Sequence, residues 1–244
     1  MTLHHELDGE GATVVLSGSL GATLETWDAQ VEALRGRFRV LRYDHPGHGG
    51  SALGDLAGLQ SLARGVAELL DELDIPRVSF VGLSLGGAVG MQLALDAHER
   101  VDRLVLACTS PRFGEPAVWD ERIDLLRTGG MHAIADVLLP RWFTRAFDDV
   151  QRFREMLLAV PPETYARYCE LLRELDLTGK LGEIRAPTLA IAGADDPTSP
   201  PAAVEAMAAQ IPDAAVVMIE GAAHLANVER PDAFNQALLA HLAP

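Results

Sequence analysis

The feature that most constrains this chain is a serine flanked by two glycines, placed where a buried strand should pass into a helix. The run that begins at Val78 is apolar and rich in β-branched residues, as is typical of a strand covered on both faces. Small residues follow, and a helical pattern continues from Met91. At the junction stands Gly82-Leu83-Ser84-Leu85-Gly86, the Gly-x-Ser-x-Gly pattern of a nucleophile elbow.

The spacing of this motif has a steric reason. A serine in so tight a turn takes a strained backbone conformation, and side chains two residues before and after it would collide. Glycine at positions 82 and 86 removes the collision. The turn also places the Ser84 hydroxyl at a helix N-terminus, where unpaired N–H groups favour a developing negative charge. An ordinary Gly/Ser turn stays the alternative interpretation, because a chain with 22 glycines can match the pattern by chance.

Strand and helix patterns alternate on both sides of the motif. Strands are expected at residues 14–16, 38–43, 101–107, 188–192 and 215–219, and helices at residues 24–34, 59–73, 201–210 and 231–242. The alternation predicts an α/β fold in which a mostly parallel, twisted sheet carries helices on both faces.

One region interrupts this rhythm. Residues 116–182 contain helical patterns, breaks at Pro140 and Pro161-Pro162, and no convincing strand. We therefore expect a core domain formed by residues 1–115 and 183–244, with residues 116–182 inserted as a helical cap.

Composition narrows the classes of partner. The formal charge of 20 − 35 = −15 argues against nucleic acid and against anionic membrane surfaces. We find no apolar run long enough to cross a bilayer and no signal-peptide pattern, so a cytoplasmic protein is expected, as a monomer or small homo-oligomer. No cluster has metal-ligand spacing and no dinucleotide fingerprint is present, which predicts chemistry without metal or cofactor.

A serine hydroxyl needs a base to become nucleophilic, and the base needs a third group to orient it. After this type of elbow the acid comes next along the chain and the histidine last. Asp196 follows one expected strand, three residues after Gly193, and His224 follows the next strand. Because loops beyond the carboxyl ends of neighbouring parallel strands converge, Ser84, Asp196 and His224 are predicted to form a catalytic triad. Asp195 is the alternative acid, and a surface or structural histidine is the alternative interpretation of His224.

The negative charge that forms during such a reaction needs preorganised backbone N–H groups. Leu85, the residue after the nucleophile, should supply one of them. The other is expected from the small-residue loop after the first core strand, where Ser19 is the main candidate and Leu20 the alternative. His48, in a loop rich in glycine, is expected to form structural hydrogen bonds rather than to transfer protons.

Several segments together resemble a known family over essentially the whole chain. They are Ser17-Gly18-Ser19-Leu20-Gly21 with its continuation to Trp27, residues 38–44, residues 82–87, Arg141-Trp142-Phe143-Thr144 and residues 223–229. They are similar to the α/β-hydrolase superfamily and, within it, to the 3-oxoadipate enol-lactonases of the protocatechuate branch of the β-ketoadipate pathway. The Ser-x-Ser-Leu-Gly segment discriminates best, since many relatives carry His-Gly there. One departure is Pro46, where these lactonases usually have arginine.

The resemblance implies a cofactor-free hydrolase that opens a small enol-lactone bearing one carboxylate, through an acyl-enzyme on Ser84. Because the protein is acidic, the pocket should hold a local cation, and arginine suits carboxylate binding. The expected substrate-binding residues are Leu20, Trp142, Arg141 and Arg145, with Arg127 and Arg112 as further candidates.

Two other functions stay open at this stage. One is a general carboxylesterase, thioesterase or C–C hydrolase that uses the same triad. The other is a ligand-binding sensor of low turnover. Dehalogenases and epoxide hydrolases need a carboxylate nucleophile, whereas position 84 is serine.

Overall fold

The computed structural model describes residues 2–54 and 56–243. Within these ranges seven strands form one sheet: β1 (His5–Asp8), β2 (Thr13–Ser17), β3 (Arg39–Tyr43), β4 (Val78–Leu83), β5 (Val101–Ala107), β6 (Thr188–Gly193) and β7 (Ala214–Ile219). Their order across the sheet is β1-β3-β2-β4-β5-β6-β7. β1 runs antiparallel to β3, and the other neighbours are parallel. β2 and β6 are buried throughout, as expected for parallel strands covered on both faces.

Helices connect the strands. They are α1 (Asp28–Leu34), α2 (Leu59–Glu72), α3 (Leu85–Asp96), α4 (Pro116–Trp142), α5 (Val150–Leu158), α6 (Pro162–Glu174), α7 (Pro201–Ala208), α8 (Ala226–Glu229) and α9 (Pro231–Leu242), with short 3-10 helices at Leu24–Trp27, His98–Arg100 and Thr178–Glu183. α3 packs against α2, β4 and β5, while α1 packs against α9. The predicted α/β fold with a mostly parallel sheet is confirmed. None of the described helices combines the length and apolar character needed to cross a bilayer.

Two local expectations require correction. The single helix expected at residues 24–34 is a 3-10 turn followed by α1. The edge strand β1 was not anticipated, because its four residues are largely exposed and show no apolar alternation. Its backbone pairs with β3, and Arg42 of that strand forms a 2.6 Å ion pair with Glu6 across the edge.

Between β5 and β6 the described chain is helical, as expected, and α4 packs against α5 and α6. Pro140 does not end a helix; it lies inside α4, and the turn after it is closed by the N–H of Phe143 on the Leu139 carbonyl at 3.2 Å. The break lies instead at Gly130, whose φ of 63° kinks α4 and suits a residue without a Cβ. The division into a core domain and a cap domain stays a prediction.

Candidate active site

Ser84 lies in the turn between β4 and α3, with φ 55° and ψ −114°. This conformation is strained for a non-glycine residue. A Cβ on Gly82 would overlap the carbonyl of Gly86, and a Cβ on Gly86 would overlap the carbonyl of Ser17. The steric reason predicted for the motif is therefore confirmed.

The backbone of Ser84 is fixed on both sides. Its N–H donates to the carbonyl of Ala107 at 2.9 Å, and its carbonyl accepts from the Thr109 hydroxyl at 2.7 Å. Its own hydroxyl has no hydrogen-bond partner among the described residues and lines a cavity of about 110 Å³. The fold thus presents this hydroxyl to the cavity and leaves it free for another group.

His224 and Asp196 are buried together. Nδ1 of His224 lies 2.8 Å from Oδ2 of Asp196, while Oδ1 of Asp196 accepts from the N–H groups of Thr198 and Ser199 at 2.7 and 3.1 Å. Asp195 is exposed and directs its N–H to the carbonyl of Ala222. Of the two adjacent acids, Asp196 is the one that contacts the imidazole.

The histidine and the serine face the same cavity. With Nδ1–H of His224 donating to Asp196, Nε2 is the ring nitrogen left as an acceptor. No hydrogen bond joins His224 to Ser84 in the described part of the chain, and bonds of this kind often tighten only when substrate is present. Ser84 and His224 therefore line one cavity, and Asp196 contacts the imidazole from the other side; their action as a catalytic triad stays a prediction.

Three backbone N–H groups beside the serine or in the wall of its cavity have no partner among the described residues. Leu85 opens α3, and its N–H has no partner in the described structure; the same is true of the N–H groups of Ser19 and Leu20. Both of these loop residues line the cavity. The N–H of Gly21 is already used, since it donates to Nε2 of His48 at 3.0 Å. The geometry thus leaves Ser19 and Leu20 as the two candidates for the second donor.

Two buried histidines hold this loop from behind. His45 Nε2 donates to the Gly18 carbonyl at 3.0 Å, and the N–H of Gly86 donates to the same carbonyl at 3.0 Å. Burial lowers the pKa of both His45 and His48 to about 4, so His48 is neutral near pH 7 and accepts from Gly21. The structural role predicted for His48 is confirmed.

The loop that carries His224 is also tied to the end of α4. Glu229 is buried; one carboxylate oxygen accepts from the N–H and hydroxyl of Thr144, and the other accepts from the N–H of Ala223 at 2.8 Å. The N–H of Leu225 donates to the carbonyl of Trp142 at 3.0 Å. A single carboxylate therefore joins the helical insertion to the histidine loop.

Of the expected substrate-binding residues, Leu20, Arg141 and Trp142 line the cavity. Arg145 does not, which corrects the expectation: it lies beyond the end of α4, is exposed, and lines a separate groove with Asp195. Arg127 and Arg112 are exposed as well and pair with Asp124 and Glu115.

The residues of the cavity wall that sequence reasoning missed include Trp119, Arg122 and Tyr165. Trp119 and Arg122 stand three residues apart on α4 and so share a helix face. That spacing is a signal the sequence contains, although it does not say what the face contacts. No group of three His, Cys, Asp or Glu residues in the described ranges could hold a metal ion.

A parallel sheet, a serine in a strained strand-to-helix turn and a buried histidine–aspartate pair beyond the last two strands define an α/β hydrolase. The chain belongs to the α/β hydrolase family, whose sequence model matches residues 13–237.

Several relatives are similar in sequence to this chain over nearly its whole length. The 3-oxoadipate enol-lactonase 2 of Acinetobacter baylyi is 36% identical, covering 92% of this chain and 86% of the relative. The putative carbamate hydrolase RutD of Agrobacterium fabrum is 31% identical, covering 99% and 97%. Among solved structures, the enol-lactonase from Burkholderia xenovorans LB400 has a TM-score of 0.94 at 39% identity, covering 98% of this chain and 96% of that one. The resemblance to enol-lactonases is confirmed, and hydrolase activity is the coarse function that these relatives support.

Proposed function

We propose that the protein is a cofactor-free serine hydrolase that opens 3-oxoadipate enol-lactone, a small lactone bearing one carboxylate, to 3-oxoadipate. The observation that carries the proposal is one cavity lined by Ser84, His224 and an arginine, Arg141. Its volume of about 110 Å³ is small beside the roughly 300–1,000 Å³ typical of drug-sized ligand pockets, which favours a compact substrate. The enol-lactonase relatives support this substrate class.

The proposed reaction begins when Oγ of Ser84 attacks the lactone carbonyl while Nε2 of His224 takes its proton. Asp196 holds the imidazole in the tautomer that can accept. The resulting oxyanion is bound by the N–H of Leu85 and by that of Ser19 or Leu20. Collapse of this intermediate breaks the ring C–O bond, and the enol oxygen leaves with the proton from His224.

Ring opening gives an acyl-enzyme on Ser84, and the freed enol tautomerises to a ketone, which draws the step forward. A water molecule then attacks the acyl carbonyl while His224 takes one of its protons. The second tetrahedral intermediate collapses, the Ser84 oxygen regains a proton from His224, and 3-oxoadipate is released.

The test is an assay in which purified protein is mixed with the enol-lactone and hydrolysis is measured as the fall in the absorbance of the lactone. Ser84→Ala should lower kcat about 10⁴-fold or more, whereas Ser79→Ala, in the strand just before the motif, should leave it nearly unchanged. A protein that cleaves simple 4-nitrophenyl esters but not the lactone would contradict the proposed substrate and favour a general esterase.

The carbamate hydrolase relative favours a second candidate, since the same triad and donors would serve attack on a carbamate carbonyl. A carbamate in the same assay panel distinguishes the two. Labelling of wild-type protein by a fluorophosphonate probe, lost in Ser84→Ala, tests enzyme against sensor. Folded protein that resists the probe would favour the sensor.

A further inference from the structure

Two arginines of the helical insertion line the cavity that contains Ser84. Neither Arg122 nor Arg141 forms an ion pair with a described carboxylate. By contrast, three other arginines of the insertion, and Arg112 just before it, each pair with an acid at 2.8–3.1 Å: Arg127 with Asp124, Arg154 with Asp136, Arg173 with Asp120, and Arg112 with Glu115. In a chain with a net charge of −15, two half-buried guanidinium groups left without an acid are notable.

A hydroxyl in the same wall also lacks a partner. Tyr165 of α6 is fully buried and lines the cavity; its hydroxyl makes no hydrogen bond of normal geometry with a described residue, although the Arg122 guanidinium lies close enough to interact with it. A buried polar group without a partner is unfavourable, so such a group is expected to meet one when a ligand is bound. Burial raises the pKa of this phenol, and the nearby positive charge of Arg122 opposes the rise. The hydroxyl therefore stays protonated near pH 7 and is available as a donor.

Trp119 explains how Arg122 is oriented. Its indole N–H donates to the Phe113 carbonyl at 2.7 Å, which fixes the ring, and the Arg122 guanidinium lies over that ring, 4.7 Å from its centroid. Such stacking orients a guanidinium without neutralising its charge. Arg122 is thus held in place beside the cavity while its N–H donors remain unpaired with an acid.

We propose that Arg122 and Tyr165, with Arg141 as a second cation, form a subsite that binds a carboxylate at the far end of the acyl group attached to Ser84. The inference rests on the proposed function in that the lactone bears such a carboxylate, and it names the residues that recognise it. A guanidinium can bind a carboxylate through two parallel hydrogen bonds, and the phenol adds a third. The expected substrates are short acyl esters and lactones that end in a free acid.

Matched esters test the subsite independently of the lactone. The pair is the 4-nitrophenyl half-ester of glutaric acid and the same ester with its free acid methylated. Wild type should prefer the free acid. Arg122→Gln should lower kcat/KM for the free acid about 10- to 100-fold, mainly through KM, and leave the methyl ester within about twofold.

Three further variants sharpen the result. Tyr165→Phe should have a smaller effect of the same kind, and Arg122→Lys should be intermediate, because it keeps the charge but loses the bidentate geometry. Arg127→Gln, on the same helix but exposed and paired with Asp124, should change neither substrate. Equal losses on both esters in Arg122→Gln would overturn the proposal and indicate a packing role.

The outcomes separate this inference from the proposed function. If the enol-lactone is not opened but the preference for the free acid is present and disappears in Arg122→Gln, the subsite stands and the lactonase assignment falls. If wild type shows no preference, the subsite falls whatever the lactone result. If neither ester reacts, the subsite is tested by calorimetric titration of the Ser84→Ala variant with glutarate. Binding must weaken when Arg122→Gln is combined with Ser84→Ala, and it must persist when Arg127→Gln is combined with Ser84→Ala.

Discussion

Asp195 and Asp196 are adjacent acids in very different surroundings. The Asp196 carboxylate is buried against His224 and accepts two backbone N–H groups, whereas Asp195 is exposed at the edge of an outer groove. A shift of one residue in the loop would exchange them, because loop geometry decides which side chain turns inward. At this scale the sequence favours Asp196 but cannot exclude its neighbour.

We therefore predict that Asp196→Asn lowers kcat about 10³- to 10⁴-fold, because an amide facing Nδ1 favours the imidazole tautomer whose Nε2 cannot accept a proton. Asp195→Asn should stay within about twofold of wild type. Steady-state hydrolysis of 4-nitrophenyl acetate measures both. A larger loss in the Asp195 variant would mean that the loop is in a different register in solution.

The glycines of the motif permit a second prediction at the residue scale. Gly86→Ala should reduce the free energy of unfolding by about 2–4 kcal/mol, since its Cβ would overlap the Ser17 carbonyl. Gly36→Ala is the matched control, because a Cβ there meets no atom within 4 Å; it should change stability by no more than about 0.5 kcal/mol. Urea unfolding at pH 7 compares the two. Equal stability of the variants would contradict the packing argument.

At the scale of elements, the loop after β3 supports the loop after β2. His45 and His48 reach across to Gly18 and Gly21, and so hold the segment whose N–H groups face the cavity. Because His48 accepts from Gly21, the bond needs a neutral imidazole. Protonation would remove the acceptor and place a charge in a buried site.

The pH dependence follows from these pKa values. With folded values of about 4 against about 6.5 in the unfolded chain, the unfolded state binds more protons between those pH values, so stability falls as pH drops through this window. Each histidine can contribute about 3 kcal/mol. His48→Gln keeps a hydrogen-bond acceptor that does not titrate. The free energy of unfolding, measured by urea unfolding at pH 7, 6 and 5, should therefore fall less with decreasing pH in this variant than in wild type. Exposed His132→Gln should not alter the slope; an unchanged slope in His48→Gln would refute the argument.

Elements that bury an apolar face could be predicted, and those determined by tertiary contact could not. β5 and α9 occupy the predicted residues because their apolar patterns are continuous. β1 is polar and is held by pairing with β3, so it leaves no pattern to detect. Pro140 was wrongly expected to break the helix, because near the end of α4 a proline removes only one hydrogen bond. The kink lies at Gly130, which the sequence pattern did not indicate.

The two residues of the proposed subsite could not be paired from the sequence either. Arg122 and Tyr165 lie together only because α4 packs on α6.

Charge is a property of the whole molecule and opposes the proposed substrate. The net charge of −15 repels anions at long range, whereas Arg122 and Arg141 act only near the cavity. Screening by salt shortens the repulsion to about 8–10 Å at physiological ionic strength and affects short-range contacts less.

We therefore predict that kcat/KM for the free-acid ester rises about twofold between about 10 and 150 mM salt. The methylated ester should show no change over the same range, which controls for effects of salt on the enzyme itself. A decrease for the free acid would indicate that the local arginines, and not the overall charge, govern encounter.

The position of Glu229 couples two parts of the site. Because its carboxylate accepts from the N–H of Thr144, just after α4, and from the N–H of Ala223, next to His224, a displacement at the end of α4 would be passed on to the histidine loop. The placement of the imidazole therefore depends on the helical insertion as well as on Asp196.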